Sequence, residues 1–268
     1  MRLATFVAGS DNFRPMRRVF LPMVAVGQVD LPPSQAHHLR DVLRVEQGQQ
    51  IELFDRHGTV GIGQVVDIGI DRVTVRIEQI SIAPSRGFYL TIAAALPKGP
   101  RADWMIEKLC EVGVDLFVPL VTQRSVVVPG STKKQDRWAR LCEQAARQAG
   151  RSDVMHIESP VQLPKLLGQP TADAAEQTWY LCPDGSHTVV QRAASLPRAL
   201  TLLIGPEGGW TGQEVLAFEA AGAIGMRLTQ TVLRVETAAI LAAGIVLSAL
   251  TAAQPPATIR QPGQRNPA

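Results

Sequence analysis

The segment Thr201-Leu-Leu-Ile204-Gly205-Pro206-Glu207-Gly208-Gly209-Trp210-Thr211-Gly-Gln-Glu214 holds the densest set of residues able to build a ligand site. Its apolar start predicts a strand ending at Ile204. Thr211 and Glu214 stand in capping-box spacing, which predicts the head of a helix. Loops at the C-terminal ends of parallel strands are where α/β sheets bind ligands. Glycines in such a loop let the backbone approach a ligand and present free N–H groups. The spacing is neither GxGxxG nor GxxxxGK followed by Ser or Thr, which disfavours a dinucleotide or a nucleoside triphosphate. An ordinary tight turn before a helix is the alternative.

Three further segments carry polar residues in suggestive places. Met226-Arg-Leu228-Thr-Gln-Thr-Val232-Leu233-Arg234-Val-Glu236-Thr237-Ala238-Ala239 repeats the order strand, loop, helix. Glu236 there is favoured by the positive end of the helix, and a structural Arg234–Glu236 pair would account for both residues. Leu96-Pro97-Lys98-Gly99-Pro-Arg101 places Lys98 and Arg101 around a glycine turn, suited to a phosphate or simply to solvent. Between residues 122 and 151, Arg124, Lys133, Lys134, Arg137, Arg140, Arg147 and Arg151 face only Asp136 and Glu143. On a helix over 135–149, Trp138, Leu141, Cys142, Ala145 and Ala149 form an apolar stripe. Arg137, Arg140 and Arg147 then line the opposite face, with Arg151 continuing it. Such a stripe is either a nucleic-acid footprint or a solvated face.

The elements that must position these residues fall into two blocks. Alternating runs at 50–55, 59–67 and 72–80 predict strands of a small barrel, with a helix over 34–43 capped by Ser34. Residues 83–87 read as a linker. Beyond it, strands at 89–95, 116–120, 178–182, 199–204 and 225–228 alternate with helices at 103–112, 135–149, 188–194, 212–221 and 236–250, the order of an α/β domain with a mainly parallel sheet. The expected domains are therefore 1–83 and 84–253, with a disordered Pro/Gln/Arg tail over 254–268.

Composition narrows the function classes. Apolar residues at 46% and charged residues at 19% describe a globular chain. Cys110, Cys142 and Cys182 form no CxxC pair, and no histidine stands at metal-ligand spacing, which argues against a disulfide framework and a metal site. The first residues show no basic-then-apolar pattern, so no signal segment is expected. The apolar stretch 238–250 is short and rich in Ala and Gly, so no membrane span is expected. A soluble cytoplasmic protein is the expectation. The net charge of +3, with 22 of 27 basic residues arginine, leaves a modest excess for polyanions.

Taken in order, the motifs resemble the ribosomal RNA small subunit methyltransferase E (RsmE) family, of the SPOUT class of S-adenosylmethionine-dependent RNA methyltransferases. The resemblance rests on Arg18-Val-Phe-Leu-Pro22, His37-His38-Leu39, Val42-Leu43-Arg44, Leu53-Phe54-Asp55, Pro97-Lys98-Gly99 and Trp104-Met-Ile-Glu-Lys108. It continues through Gln123-Arg124-Ser125-Val126-Val127, Arg137-Trp138, Glu143-Gln-Ala-Ala-Arg-Gln148, Gly150-Arg151, Ile204-Gly-Pro-Glu-Gly-Gly209 and Leu233-Arg-Val-Glu-Thr-Ala238. Two departures stand out. Thr229 occupies a position usually held by Gly, and Pro100 one that is commonly acidic or polar.

The resemblance implies an α/β fold with an N-terminal PUA-like β-barrel that helps bind RNA and a C-terminal SPOUT domain tied in a trefoil knot. It implies a homodimer, with no membrane and no metal partner, that methylates N3 of a uridine in 16S rRNA, within the 30S subunit. S-adenosyl-L-methionine would be held by Leu203, Ile204, Gly205, Pro206, Glu207, Gly208, Leu228, Val232, Leu233 and Arg234. Arg124 and Arg151 would stabilise the uridine anion, with Glu207 or a water accepting the proton. Arg17, Arg18, Lys98, Arg137, Arg140 and Arg147 would contact RNA. A different RNA substrate (tRNA or 23S rRNA) and a non-catalytic RNA-binding relative remain the alternatives.

Overall fold

A computed structural model describes residues 16–127, 132–168 and 175–253. The tail expected over 254–268 lies outside the described residues. The chain divides into two compact units between Ala83 and Pro84.

In the first unit, β1 (Arg17–Phe20), β2 (Gly27–Asp30), α1 (Pro33–His37), β3 (Gln50–Phe54), β4 (Thr59–Ile68) and β5 (Val73–Ile82) follow in sequence. The five strands form one sheet in the order β1-β3-β4-β5-β2; β1 and β3 are parallel and the other pairs antiparallel. Alternation explains the core, because Ile51, Leu53, Val65, Val75 and Ile77 all point to one buried face. The three predicted strands are present, but β1 and β2, four residues each, are too short for alternation to mark them. Ser34 does not cap a helix. α1 starts at Pro33 with no side-chain cap, since Pro has no N–H to satisfy at a first turn. A π-helical turn over His38–Val42 then replaces the rest of the predicted helix.

Asp55 closes the β3–β4 hairpin from inside. It is 2% exposed and accepts hydrogen bonds from the backbone N–H groups of His57 (2.8 Å), Thr59 (3.0 Å) and Val24 (3.2 Å). Burial pushes its pKa up, but the backbone donors pull harder, and the net shift is downward.

The second unit contains β6 (Tyr89–Ala95), α2 (Pro100–Val112), β7 (Leu116–Val121), α3 (Thr132–Ala149), β8 (His156–Ile157), β9 (Val161–Gln162) and α4 (Leu163–Leu167). These are followed by β10 (Glu176–Leu181), β11 (His187–Thr188), α5 (Val189–Ala193), β12 (Ala199–Ile204), α6 (Gly212–Ala220), β13 (Ile224–Arg227) and α7 (Val235–Ala253). The sheet order is β11-β13-β10-β12-β6-β7-β8, with β9 also on β7, and every pair is parallel. Ala93, Tyr180 and Leu203 join Phe218 of α6 in one core cluster. The alternate residues Ile92, Trp179 and Leu202 are equally buried on the other side.

α7 is longer than its sequence pattern indicated, at 19 residues, and long and apolar enough to cross a membrane by length and composition. Here it packs on α2, α5, β6 and β12, with Ala239, Ala242 and Ala243 fully buried. Their small side chains allow the close approach.

Because the folded pKa of Asp55 is depressed, its contribution is complete above about pH 4 and is lost as pH falls through the folded value. Asp55→Asn is expected to destabilise the protein by about 1–3 kcal/mol at neutral pH, and the gap to wild type should close on acidification. Urea unfolding at a series of pH values checks this; a gap constant down to pH ~2 would show that the Asp55 charge contributes nothing.

Candidate active site

The adjacent strands β13, β10 and β12 end side by side, and a cavity of about 180 Å³ opens at their C-terminal ends. Leu181, Cys182 and Pro183 line it from β10, Ile204–Glu207, Gly209 and Trp210 from β12, and Leu228, Thr229, Val232 and Leu233 from β13. Val235 and Ala238 of α7 complete the wall. The walls are mostly apolar side chains and backbone. Glu207 is the charged side chain among them.

The β12 loop has its shape because Trp210 folds back beneath it. A Cβ at Gly205 would stand 2.9 Å from the Trp210 ring, so only glycine fits. Gly209 makes the turn, with φ at +69° and its N–H on the Pro206 carbonyl at 2.8 Å. Trp210 donates from Nε1 to the Leu181 carbonyl at 2.9 Å, which ties the β12 loop to the end of β10. Behind it, Phe218 meets Trp210 edge-on at 4.8 Å and stacks on Tyr180 at 4.6 Å.

Glu214 fixes the other side. Its Oε2 accepts from the Thr211 N–H at 2.8 Å, closing the predicted capping box, and its Oε1 accepts from the Gln123 N–H at 2.9 Å. The residue is 5% exposed. One buried carboxylate thus joins the loop after β7 to the loop after β12. Arg124, next in sequence, reaches across and donates from Nη1 to the Gly208 carbonyl at 2.7 Å.

A second ionic group lies at the starts of α2 and α7. Arg101 donates from Nη1 to Glu207 Oε1 at 2.9 Å and to Glu236 Oε1 at 3.4 Å. The hydrogen bond to Glu207 raises the Arg101 pKa further, against burial. Glu236 is 5% exposed, and its Oε2 is buried with no hydrogen-bond partner. The Arg234–Glu236 pair suggested by the sequence is replaced by Arg101–Glu236, because Arg234 is exposed.

Of the predicted cofactor positions, Ile204, Gly205, Pro206, Glu207, Leu228, Val232 and Leu233 line the cavity. Leu203 does not; it is fully buried in the core behind the strand. Gly208 lies against Arg124, and Arg234 uses its carbonyl to receive the Ala238 N–H at 2.8 Å. Thr229 turns its hydroxyl onto the Thr231 carbonyl at 2.7 Å, along the loop. Pro100 is the first residue of α2, where a missing N–H costs nothing.

Arg151 is not part of this site in its own chain. Its Nη1 donates to the carbonyls of Cys110 and Val114, both at 2.8 Å, and its Nε to Asp153 at 3.0 Å. Those carbonyls belong to the last turn of α2 and to the turn before β7, at the opposite end of the strands from the cavity. A guanidinium suits the orphan carbonyls at a helix C-terminus.

The arginine stripe on α3 also divides. Arg137 pairs with Asp103 at 2.7 Å, whereas Arg147 is half-buried and burial lowers its pKa. Arg140 remains exposed. Lys98 is exposed in the turn after β6, beside β12. In the first unit, Arg17 is half-exposed, and Arg18 is held by Glu52 at 2.6 Å over the Phe54 ring.

Residues 84–247 match a family described as an RNA methyltransferase domain, and residues 31–78 one described as an RNA methyltransferase PUA domain. The ribosomal RNA small subunit methyltransferase E of Synechocystis is 32% identical over 80% of this chain and 71% of its own. The chain belongs to the ribosomal RNA small subunit methyltransferase E family. The Mycobacterium tuberculosis member is 31% identical over 83% of this chain and 86% of its own. Among solved structures, the family member from Neisseria gonorrhoeae bound to S-adenosyl methionine superposes with a TM-score of 0.76 at 28% identity, covering 89% of this chain and 98% of that one. A methyltransferase from Legionella pneumophila in complex with the same cofactor gives equal figures.

Gly205→Ala forces its new methyl against Trp210 and is expected to cost about 1–3 kcal/mol, the usual effect of overpacking. In a Trp210→Ala background the same substitution should cost close to nothing. A double-mutant cycle by urea unfolding reads the coupling; additive effects would place Trp210 elsewhere.

Proposed function

We propose that this protein is an S-adenosyl-L-methionine-dependent methyltransferase that methylates N3 of a uridine in 16S rRNA, in the context of the 30S subunit. The observation that carries the reading is the cavity at the ends of β13, β10 and β12, built largely from backbone and apolar side chains with Arg124 and Glu207 at its edge. Its residues fit the cofactor. Apolar walls at Leu181, Ile204, Leu228 and Leu233 suit an adenosine, and Gly205 keeps Trp210 close beneath the loop. The enclosed volume of 180 Å³ is smaller than the ~300–1,000 Å³ of typical small-molecule sites, so a nucleoside-sized ligand would extend over exposed Thr231 and Val232. The cofactor, when bound, supplies the electrophilic methyl group.

The chain's own residues would orient the base and stabilise its anion. Arg124, pinned by the Gly208 carbonyl, keeps a positive charge beside the cavity without a carboxylate partner among the described residues. Charge fixed in advance of the reaction stabilises an anion developing at the uracil carbonyls. Glu207 or a water would accept the N3 proton. The first unit, with Arg17 and Arg18, together with Lys98 and Arg140, would hold the RNA backbone.

The family's PUA-like barrel and trefoil knot belong to the same reading. α7 returns from the β13 side of the sheet to pack on β6 and α2, as a chain threaded back through its own loops would. A homodimer is supported by α7 and α2, which leave Leu241 and Trp104 exposed. A cytoplasmic location follows from an rRNA substrate.

Transfer of labelled methyl from S-adenosylmethionine to 30S subunits, followed by nucleoside analysis, tests the reading; 3-methyluridine in 16S rRNA is expected. Label only in tRNA or 23S rRNA would replace the substrate, and no transfer would leave a binding protein. Arg124→Ala is expected to lower kcat more than RNA affinity, because its contact strengthens in the transition state. Arg140→Ala should spare kcat and reduce the salt slope of RNA binding by about one unit. Identical slopes for Arg140→Ala and wild type would make the α3 stripe an ordinary solvated face.

A further inference from the structure

We propose that Arg101, Glu207 and Glu236 form a charge-selecting cluster that favours the cationic methyl donor over its uncharged-sulfur product, and so promotes product release. The inference rests on the cofactor reading of the cavity given above.

One guanidinium serves two carboxylates. Arg101 Nη1 lies 2.9 Å from Glu207 and 3.4 Å from Glu236. Among the described residues no further ion pair reaches either carboxylate, so the cluster carries a formal charge of −1. The start of α7 contributes only about half a positive charge to Glu236, which does not cancel the excess. Glu236 Oε2, buried and without a hydrogen-bond partner, marks where the imbalance lies. A buried, unpartnered carboxylate oxygen is costly to keep, and the fold would gain by losing it unless a cationic ligand uses its field.

The cluster borders the cavity. Glu207 lines it directly, and so do Val235 and Ala238 on either side of Glu236. Methyl transfer breaks the sulfur–methyl bond, leaves its electron pair on sulfur and forms the N3–methyl bond, while the N3 proton passes to an acceptor. The ligand thereby loses one positive charge, and the attraction of a negatively charged wall disappears with it. Arg101 and Glu236 act as positioning residues in this scheme. They set the local charge without touching the reacting atoms.

Calorimetric titration of the full-length protein with S-adenosylmethionine and with S-adenosylhomocysteine gives the ratio of the two Kd values, product over donor. Glu236→Gln removes the excess charge and should lower this ratio by about three- to tenfold, whereas Arg101→Gln should raise it by a similar factor and Arg101→Lys should restore it. In the wild type the ratio should fall as salt is added, which decides the matter even where a variant does not fold. Ratios that stay constant in both variants, or move in the same direction, would reduce the cluster to a structural clasp that weakens both ligands alike. Binding of neither ligand to the wild type would overturn the cofactor reading itself.

Discussion

The site depends first on one buried carboxylate. Glu214 is committed on both oxygens, to the first turn of its own helix and to the backbone of Gln123, 91 positions away in sequence. A charged acceptor with partly buried backbone donors is among the stronger hydrogen-bonding arrangements, and it ties the two loops together. Arg124 takes its position from this bond, because the turn that carries it is anchored one residue earlier. The glycine loop that Arg124 grips is in turn flattened against Trp210, whose own hydrogen bond reaches the end of β10. Three strand ends are therefore registered through a chain of four contacts, with the aromatic stack of Trp210, Phe218 and Tyr180 behind the loop after β12.

Much of this was legible in the sequence, for identifiable reasons. Thr211 and Glu214 carry a capping box whose spacing is dictated by helix geometry alone, and it formed as read. The seven-residue strand β6 and the six-residue β12 are apolar and bounded by loop residues, so their positions followed from local pattern. The ligand loop followed from the same strand-to-helix transition, together with glycines that a plain turn would not need.

What escaped the sequence is what only three dimensions decide. Leu181, Cys182 and Pro183 line the cavity because β10 is inserted between β13 and β12, and no local pattern announces that order. Arg151 follows a basic helix and reads as part of its charged face. The helix ends at Ala149, and the guanidinium turns inward to the carbonyls of Cys110 and Val114. Arg101 read as a turn residue for a phosphate or for solvent, yet it joins Glu207 and Glu236, 106 and 135 positions away. Pairings over such separations leave no spacing signal.

The central claim is that the Glu214 carboxylate, through Gln123, Arg124 and Trp210, preshapes the methyl-donor cavity. Calorimetric titration of S-adenosylmethionine into folded Glu214→Ala tests it most directly, with Glu219→Ala as the control on the exposed face of the same helix. The account predicts a loss of donor affinity of about tenfold or more for Glu214→Ala, equivalent to at least one charged hydrogen bond, and wild-type affinity for Glu219→Ala. Wild-type affinity in a folded Glu214→Ala protein would contradict it.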